Sequence, residues 1–350
     1  MVLGLLTLQF HHERTYYTEI AKRARQYYNV VAQFTPFGID SKTDLVTGLI
    51  YDTDTGSWIE QLFPIPSYIY DRCHFKEDAE FQKAKPIIHS LQKRSSTIVL
   101  NNTLIDPSEV HNLFLTNKRL SPYIPQIDKG TIRGIFKLLQ KTKDIIIRPV
   151  TIYSNEKLYR VTYKDKIFHI DTLNTEKHAP IQFKRTDQFI LWCQSEIQLS
   201  RYMIHPMLHP PNQLTYPIHI RTVMQKNKEQ KWNVLGQFIQ KSTSPSHFLL
   251  PTIENATLHP FSKIQYLLSS TGVHLLQDAL HDIVTEVLKL LDNSYSSLFE
   301  LELSTIMDQK GAIWLMYVNT RPSYTPFIQH NHSLAEEIFH GPLKFSRFTP

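Results

Sequence analysis

LFELELSTIMDQKGAIWLMYVNTRP, residues 298–322, reads as two strands folded back on one another around a turn at Asp308–Gly311. Side chains alternate faces along a strand, so Glu302 and Ser304 share one side of the first run. By the same rule Tyr317, Asn319 and Arg321 share one side of the second. The hairpin therefore presents a row of polar and aromatic groups near its open end, where a ligand could meet them.

Upstream of this hairpin the chain alternates strands with helices. Val2–Gln9 and Asn29–Thr35 read as strands, the second closed by Pro36 and Gly38, with a helix over Glu13–Tyr28 between them. A hairpin over Leu45–Leu62 turns at Asp54-Thr55-Gly56, and Tyr68–Arg72 and Thr97–Leu100 supply two further short strands. This mixture predicts a small, largely parallel α/β sheet over residues 1–105. The polar stretch Asn101–Pro107 marks a boundary.

Residues 106–323 read as α+β. Helices are expected at Ser108–Leu115, Thr131–Lys141, Asp187–Ile197 and, most strongly, Val273–Leu291, whose Leu276, Leu280, Ile283, Val284, Val287, Leu288 and Leu291 form one apolar stripe. Strands are expected at Asp144–Val150, within Leu158–Ile170, and at Arg201–His205, Ile218–Gln225 and Trp232–Lys241. Residues 324–350 read as a C-terminal tail.

The bulk numbers narrow the class. Hydrophobic residues at 41% and charged residues at 20% are those of an ordinary globular protein rather than a disordered one. The net charge of +6 is dispersed along the chain without a basic run, which argues against nucleic acid as a partner. Cys73 and Cys193 form no framework, so a reducing cytoplasm is the natural setting. The start, MVLGLLTLQF, lacks a basic n-region and reads as a buried strand, and no apolar run approaches the roughly 18 residues that a membrane span needs. Glycine is scarce at ten residues, with none between Gly134 and Gly236, so no glycine-rich phosphate loop lies in that interval. Seventeen histidines include the pairs His11-His12 and His205/His209, which read as structural or solvated groups.

Four separated segments, FPIPSYIYDR (63–72), IIIRP (145–149), YPIHIRTVMQKNKEQKWNVLG (216–236) and the 298–322 hairpin, resemble in order and spacing the YheC/YheD family of endospore coat-associated proteins. The resemblance implies the ATP-grasp architecture: an N-terminal pre-ATP-grasp α/β domain followed by two α+β subdomains that clasp ATP. It implies ATP and Mg²⁺ as cofactors, carboxylate–amine ligation through an acyl-phosphate as the parent chemistry, and spore-coat proteins as partners.

Carried over position by position, the resemblance makes Arg148 the phosphate-side cation in place of a lysine. It places His205 and Leu208 of RYMIHPML (201–208) on the adenine hinge, and Arg221 in the cleft as the catalytic cation. The family's magnesium ligands fall on Ser304, Tyr317 and Asn319, with Glu302 as a substitute carboxylate and Asp308 without a ligand role. VTIYSNEKLYRV (150–161) stands where the glycine-rich loop belongs, and His219 replaces an aspartate beside Arg221. Magnesium takes oxygen ligands and usually one or two carboxylates. With both acidic positions lost, the expectation is a degenerate, non-catalytic binding or structural component, cytoplasmic or associated with the spore coat. The alternative is a ligase-like enzyme with a site rearranged around Arg148, Arg221, Glu302 and Asn319.

Overall fold

The structure, a computed structural model, describes residues 2–27, 30–75, 77–101, 107–149, 157–173, 179–197, 202–211, 214, 217–243, 256–295, 297–330 and 332–345. The call on Val150 and most of the 150–161 segment lies outside these residues, as does most of the Asn101–Pro107 boundary.

Three sheets follow one another along the chain. The first contains β1 (Val2–Leu6), β2 (Val30–Asp40), β3 (Leu45–Asp52), β4 (Ser57–Pro64), β5 (Tyr68–Asp71) and β6 (Ile98–Leu100), in the order β4-β3-β2-β1-β5-β6. Its inner strands run parallel and the β2-β3-β4 meander is antiparallel. Helix α1 (Arg14–Arg23) crosses from β1 to β2, and α2 (Asp78–Lys93) crosses from β5 to β6. Leu3 and Leu5 pack with Tyr16, Tyr17 and Ile20 of α1, whereas Leu6 faces Ala84, Ile88 and Leu91 of α2. The two helices therefore cover opposite faces, and β1 and β5 leave the sheet centre in opposite directions. That is a topological switch point, where a crevice opens beyond the carboxyl ends of the strands.

Local chemistry explains three departures from the sequence reading. Glu13 has φ 52, a left-handed value, so α1 begins one residue later at Arg14. β2 runs through Pro36 and Gly38 to Asp40, because its ladder to β3 breaks between Phe34 and Ile39, where proline's missing N–H is not required. Helix α2 carries Pro86 in its interior, which hides its periodicity.

The second sheet, order β11-β10-β9-β8-β12-β7, contains β7 (Asp128–Lys129), β8 (Asp144–Pro149), β9 (Leu158–Lys164), β10 (Ile167–Leu173), β11 (Ile181–Phe183) and β12 (Tyr202–Pro206), all antiparallel. Helix α3 (Pro107–Thr116) precedes it. Helix α4 (Ile132–Thr142), capped by Thr131 Oγ1 accepting from the Gly134 N–H at 3.0 Å, and α5 (Thr186–Glu196) cover one face. Ile145, Ile147, Val161 and Ile204 point into that core, leaving Ile146, Arg148 and His205 for the other face.

The third sheet, order β15-β14-β13-β16-β17, contains β13 (Ile218–Lys226), β14 (Trp232–Ser242), β15 (Ala256–Pro260), β16 (Glu300–Met307) and β17 (Ile313–Asn319). Helix α6 (Ser270–Ser294) lays Leu276, Leu280, Ile283, Val287 and Leu291 against Ile220, Met224, Leu301 and Leu303. The opposite face carries His219, Arg221, Glu300, Glu302 and Ser304. Gly311, at φ 80, closes the β16–β17 turn, and Asp308 fastens it by accepting from the Lys310 and Ala312 N–H groups and from Trp314 Nε1.

The segment expected as a tail forms two helices, α7 (Thr325–His330) and α8 (His332–Phe345). Tyr324, Phe327, Leu334, Ile338, Phe339 and Leu343 are buried with α1 on one side and, on the other, with Val223 and Phe238 of the third sheet and Phe299 just before β16. Arg23 of α1 donates to both carboxylate oxygens of Glu336.

One polar hub ties these layers. Arg72, fully enclosed, donates to Glu300 Oε1 at 2.6 Å, Glu13 Oε2 at 2.5 Å and the Pro322 carbonyl at 2.9 Å. Its guanidinium lies 5.3–5.7 Å from the ring centroids of Tyr16, Tyr70 and Tyr324. The second Glu300 oxygen accepts from Tyr70 at 2.5 Å and Tyr324 at 2.7 Å, while Asn101 donates to the first. Breaking a buried ion pair by removing one partner costs about 3–5 kcal/mol because the remaining charge is stranded. Arg72→Met strands two carboxylates, and its unfolding free energy in urea is expected to fall by at least about that amount.

Candidate functional site

The cleft lies between the open faces of the second and third sheets. Arg148 is the penultimate residue of β8, and His205 of β12 shares its face: Met203 pairs with Arg148 and His205 with Ile146, so His205 and Arg148 lie diagonally across the ladder. His205 is fully buried. Its Nδ1 lies 2.8 Å from the Pro206 carbonyl oxygen, which can only accept, so Nδ1 carries the hydrogen and Nε2 presents a lone pair. Burial, helped by the charge of Arg148, pushes the imidazole down to about 3. His111 of α3 joins them, its own pKa lowered by burial and by Arg148. Arg148 Nε, His111 Nε2 and His205 Nε2 are all shielded from solvent without a hydrogen-bond partner. Three unmet polar atoms inside one cleft are costly unless a ligand uses them.

The opposing sheet meets this group through Tyr317, whose ring centroid is 5.5 Å from the Arg148 guanidinium. A bulge between Ser304 and Thr305 sets Ser304 opposite Tyr317 and Thr305 opposite Leu315, so Met316 is the extra residue. Strict alternation would have sent Met316 into the α6 core. Instead it packs with Ile306 and Leu208, alongside Trp314 and Tyr317. Leu208, expected on the adenine hinge, thus sits in an apolar cluster that joins the two sheets.

The expected metal positions are satisfied within the protein. Ser304 Oγ lies 2.9 Å from His219 Nδ1. Glu302 and Asn319 face each other across β16 and β17, but Glu302 Oε1 accepts from Arg221 Nε, and Asn319 Oδ1 accepts from the Arg321 N–H at 2.9 Å. Arg221 is buried and stacks on Phe327 of α7 at 4.6 Å. Among these described groups at the expected metal positions, Glu302 Oε2 is buried without a partner. A single carboxylate already paired with arginine does not fit Mg²⁺, which needs several oxygen ligands in near-octahedral array.

Arg148 and His205 are brought together, as are Arg221, Glu302 and Asn319; Leu208 stands with the apolar wall between these groups. His111 was not legible, since an exposed-looking helix of Ser108–Leu115 gives no hint of which sheet it will cap. The Arg72–Glu300 hub was half visible in the quoted YIYDR motif, but its partner lies 228 positions away.

Comparison with known proteins agrees with this architecture. D-alanyl-alanine synthetase A from Vibrio cholerae superposes with a TM-score of 0.52 at 12% identity, covering 98% of each chain. The macrocyclase MdnC from Microcystis aeruginosa, bound with precursor peptide MdnA, gives 0.53 at 9% identity, covering 99% of this chain and 98% of that one. The chain has the ATP-grasp fold. The family model described as "YheC/D like ATP-grasp" matches residues 96–348. Endospore coat-associated protein YheC of Bacillus subtilis (strain 168) is 30% identical over 98% of this chain and 94% of its own length. YheD of the same strain is 20% identical over 82% of this chain, which spans 63% of that longer protein. This chain is a member of the YheC/D-like ATP-grasp family. Among the described residues no helix is long and apolar enough to cross a membrane.

The depressed His205 pKa has a signed consequence. An unfolded histidine takes up its proton near pH 6.5, whereas the folded one waits until about 3. Stability is therefore fully present above pH 6.5 and falls as acidification lets only the unfolded state bind the proton. From pH 7 to 5 this group should remove about 2 kcal/mol. His205→Gln is expected to flatten the pH dependence of the urea midpoint over that interval by a corresponding amount.

Proposed function

We propose that this chain is a non-catalytic ATP-grasp protein that binds a nucleotide or similar ligand without Mg²⁺ and serves as a binding or structural component. One observation carries the reading: the groups at the expected metal positions are engaged within the chain, Ser304 with His219, Glu302 through Oε1 with Arg221, and Asn319 with the Arg321 N–H. Phosphoryl transfer depends on metal charge to stabilise the transferring oxygens. A cleft that replaces both acids by a serine and a tyrosine lacks the means to assemble that charge.

Ligand capture is the part of the ancestral activity that these residues still support. Arg148 offers a buried N–H to an anionic oxygen. His205 Nε2, as a lone pair, suits an N–H donor such as an exocyclic amine. Leu208, Ile306 and Met316 provide an apolar wall of the kind that a flat heterocycle covers. The name of the 30%-identical relative supports association with the endospore coat as the setting, with coat proteins as partners and the cytoplasm of the spore-forming cell as the place of synthesis.

A second reading, a ligase-like enzyme with a rearranged site, is favoured by one atom: the buried, unpartnered Glu302 Oε2 could accept a metal ion if Arg221 turned toward a phosphate. Thermal unfolding and phosphate release separate the two. A ligand selective for the native state raises the melting temperature, by about 2.7 kcal/mol of stabilisation at one hundred times Kd. The expected result is that millimolar ATP raises Tm equally with and without Mg²⁺, that Arg148→Ala abolishes the rise, and that phosphate release stays at background. Mg²⁺-dependent release that disappears in Glu302→Gln would establish the second reading instead. No shift with any nucleotide would remove ATP as the ligand.

A further inference from the structure

Outside the cleft, the crevice at the switch point of the first sheet gathers a second set of ligating groups. His12 and Glu13 follow β1 and His74 follows β5, the two central parallel strands. The ring centroids of His12 and His74 are 4.9 Å apart, and His74 Nε2 lies 3.3 Å from Glu13 Oε2. One ligand atom from each of the three residues lies within 4.8 Å of the others. We propose that His12, Glu13 and His74 form a binding site for one divalent transition-metal ion.

Two independent features point to a ligand there. The Glu13 side chain is 3% exposed, yet its Oε1 has no hydrogen-bond partner, and neither has His74 Nε2 despite its closeness to the carboxylate. Both atoms are shielded from water, and in the tautomer that leaves Nε2 bare both offer a lone pair to a cation. Backbone geometry reinforces this: Glu13 holds a left-handed φ of 52, and its other oxygen is fixed by Arg72 and by Tyr17, which donates at 3.0 Å. The carboxylate is thus positioned before any ion arrives. Burial, together with Arg72 and Arg321, lowers His74 to about 4 against the opposing pull of Glu13, which keeps the imidazole in its neutral, ligating form.

The neighbouring charges select the kind of ion. Arg72 and Arg321 border the group, so a hard cation held by charge alone, such as Mg²⁺ or Ca²⁺, is repelled. An ion that bonds imidazole nitrogen, such as Zn²⁺ or Co²⁺, gains directional ligand bonds that offset this repulsion. Two histidines and one carboxylate leave at least one tetrahedral position open to water or to a further ligand from the crevice. The ion would join the loop after β1 to the loop after β5 beside the Arg72 hub.

The test uses the full chain stripped with a chelator and titrated with Co²⁺, read by its visible absorption, and with Zn²⁺ by calorimetry. Saturation near one ion per chain is expected, with Mg²⁺ failing to compete at millimolar concentration. His12→Ala and His74→Ala should each weaken affinity by about tenfold or more. His12 is exposed, so its variant should keep the metal-free melting temperature and report on binding alone. Absence of saturable binding, competition by Mg²⁺, or unchanged affinity in the well-folded His12→Ala variant would overturn the proposal.

Discussion

The enclosed guanidinium of Arg72 is the constraint around which the other layers are arranged. It takes one carboxylate from the β1–α1 loop and one from β16, and it caps the carbonyl that follows β17. Three aromatic rings surround it, and their hydroxyls or neighbours complete the hydrogen bonding of Glu300. Burying a charge is costly, and attraction repays that cost only when the geometry is good and the remaining donors are met. Here three of the elements being joined are far apart in sequence. The hub therefore specifies how the first sheet meets the third, more than it adds raw stability.

The cleft shows the same principle in reverse. At the positions expected to receive a metal, Ser304, Glu302 and Asn319 each already have a partner within the chain. Arg221 is held by Glu302 below Phe327, and Tyr317 rests against Arg148. A side chain committed to an internal partner is a poor ligand, because recruiting it requires breaking that partnership first. Among the described residues of the cleft, the unpaired atoms are Arg148 Nε, His111 Nε2 and His205 Nε2 on the side of the second sheet and Glu302 Oε2 on the third. On the proposed reading, the cleft favours a ligand that both accepts and donates hydrogen bonds.

Much of the fold was legible because local patterns were strong. The apolar stripe of Val273–Leu291 and the 298–322 hairpin form where periodicity and turn chemistry place them. The ends of elements were read less well, since Glu13 and Pro36 obey backbone rules that hydrophobicity does not encode. The bulge at Ser304 moves Met316 from one face to the other, which no alternation rule could foresee. The last helices were hidden for a different reason. Their apolar residues face two separate surfaces, so α8 lacks a single clean stripe. Of the site, Arg148 and His205 could be placed from the register of adjacent strands, whereas His111 depends on how a connecting helix settles over them.

The position of α8 bears on how the chain acquires its shape during synthesis. Residues 334–343 fill the space beside Tyr16, Tyr17 and Ile20, over three hundred positions earlier. Until that late segment leaves the ribosome, the part of α1 that packs on α8 rather than on β1 has no cover, and the Tyr324 hydroxyl cannot reach Glu300. Contacts this distant along the chain form slowly and leave greasy surface exposed in the meantime. Nascent chains of this protein therefore pass through a long interval in which a chaperone has a ready-made surface to hold.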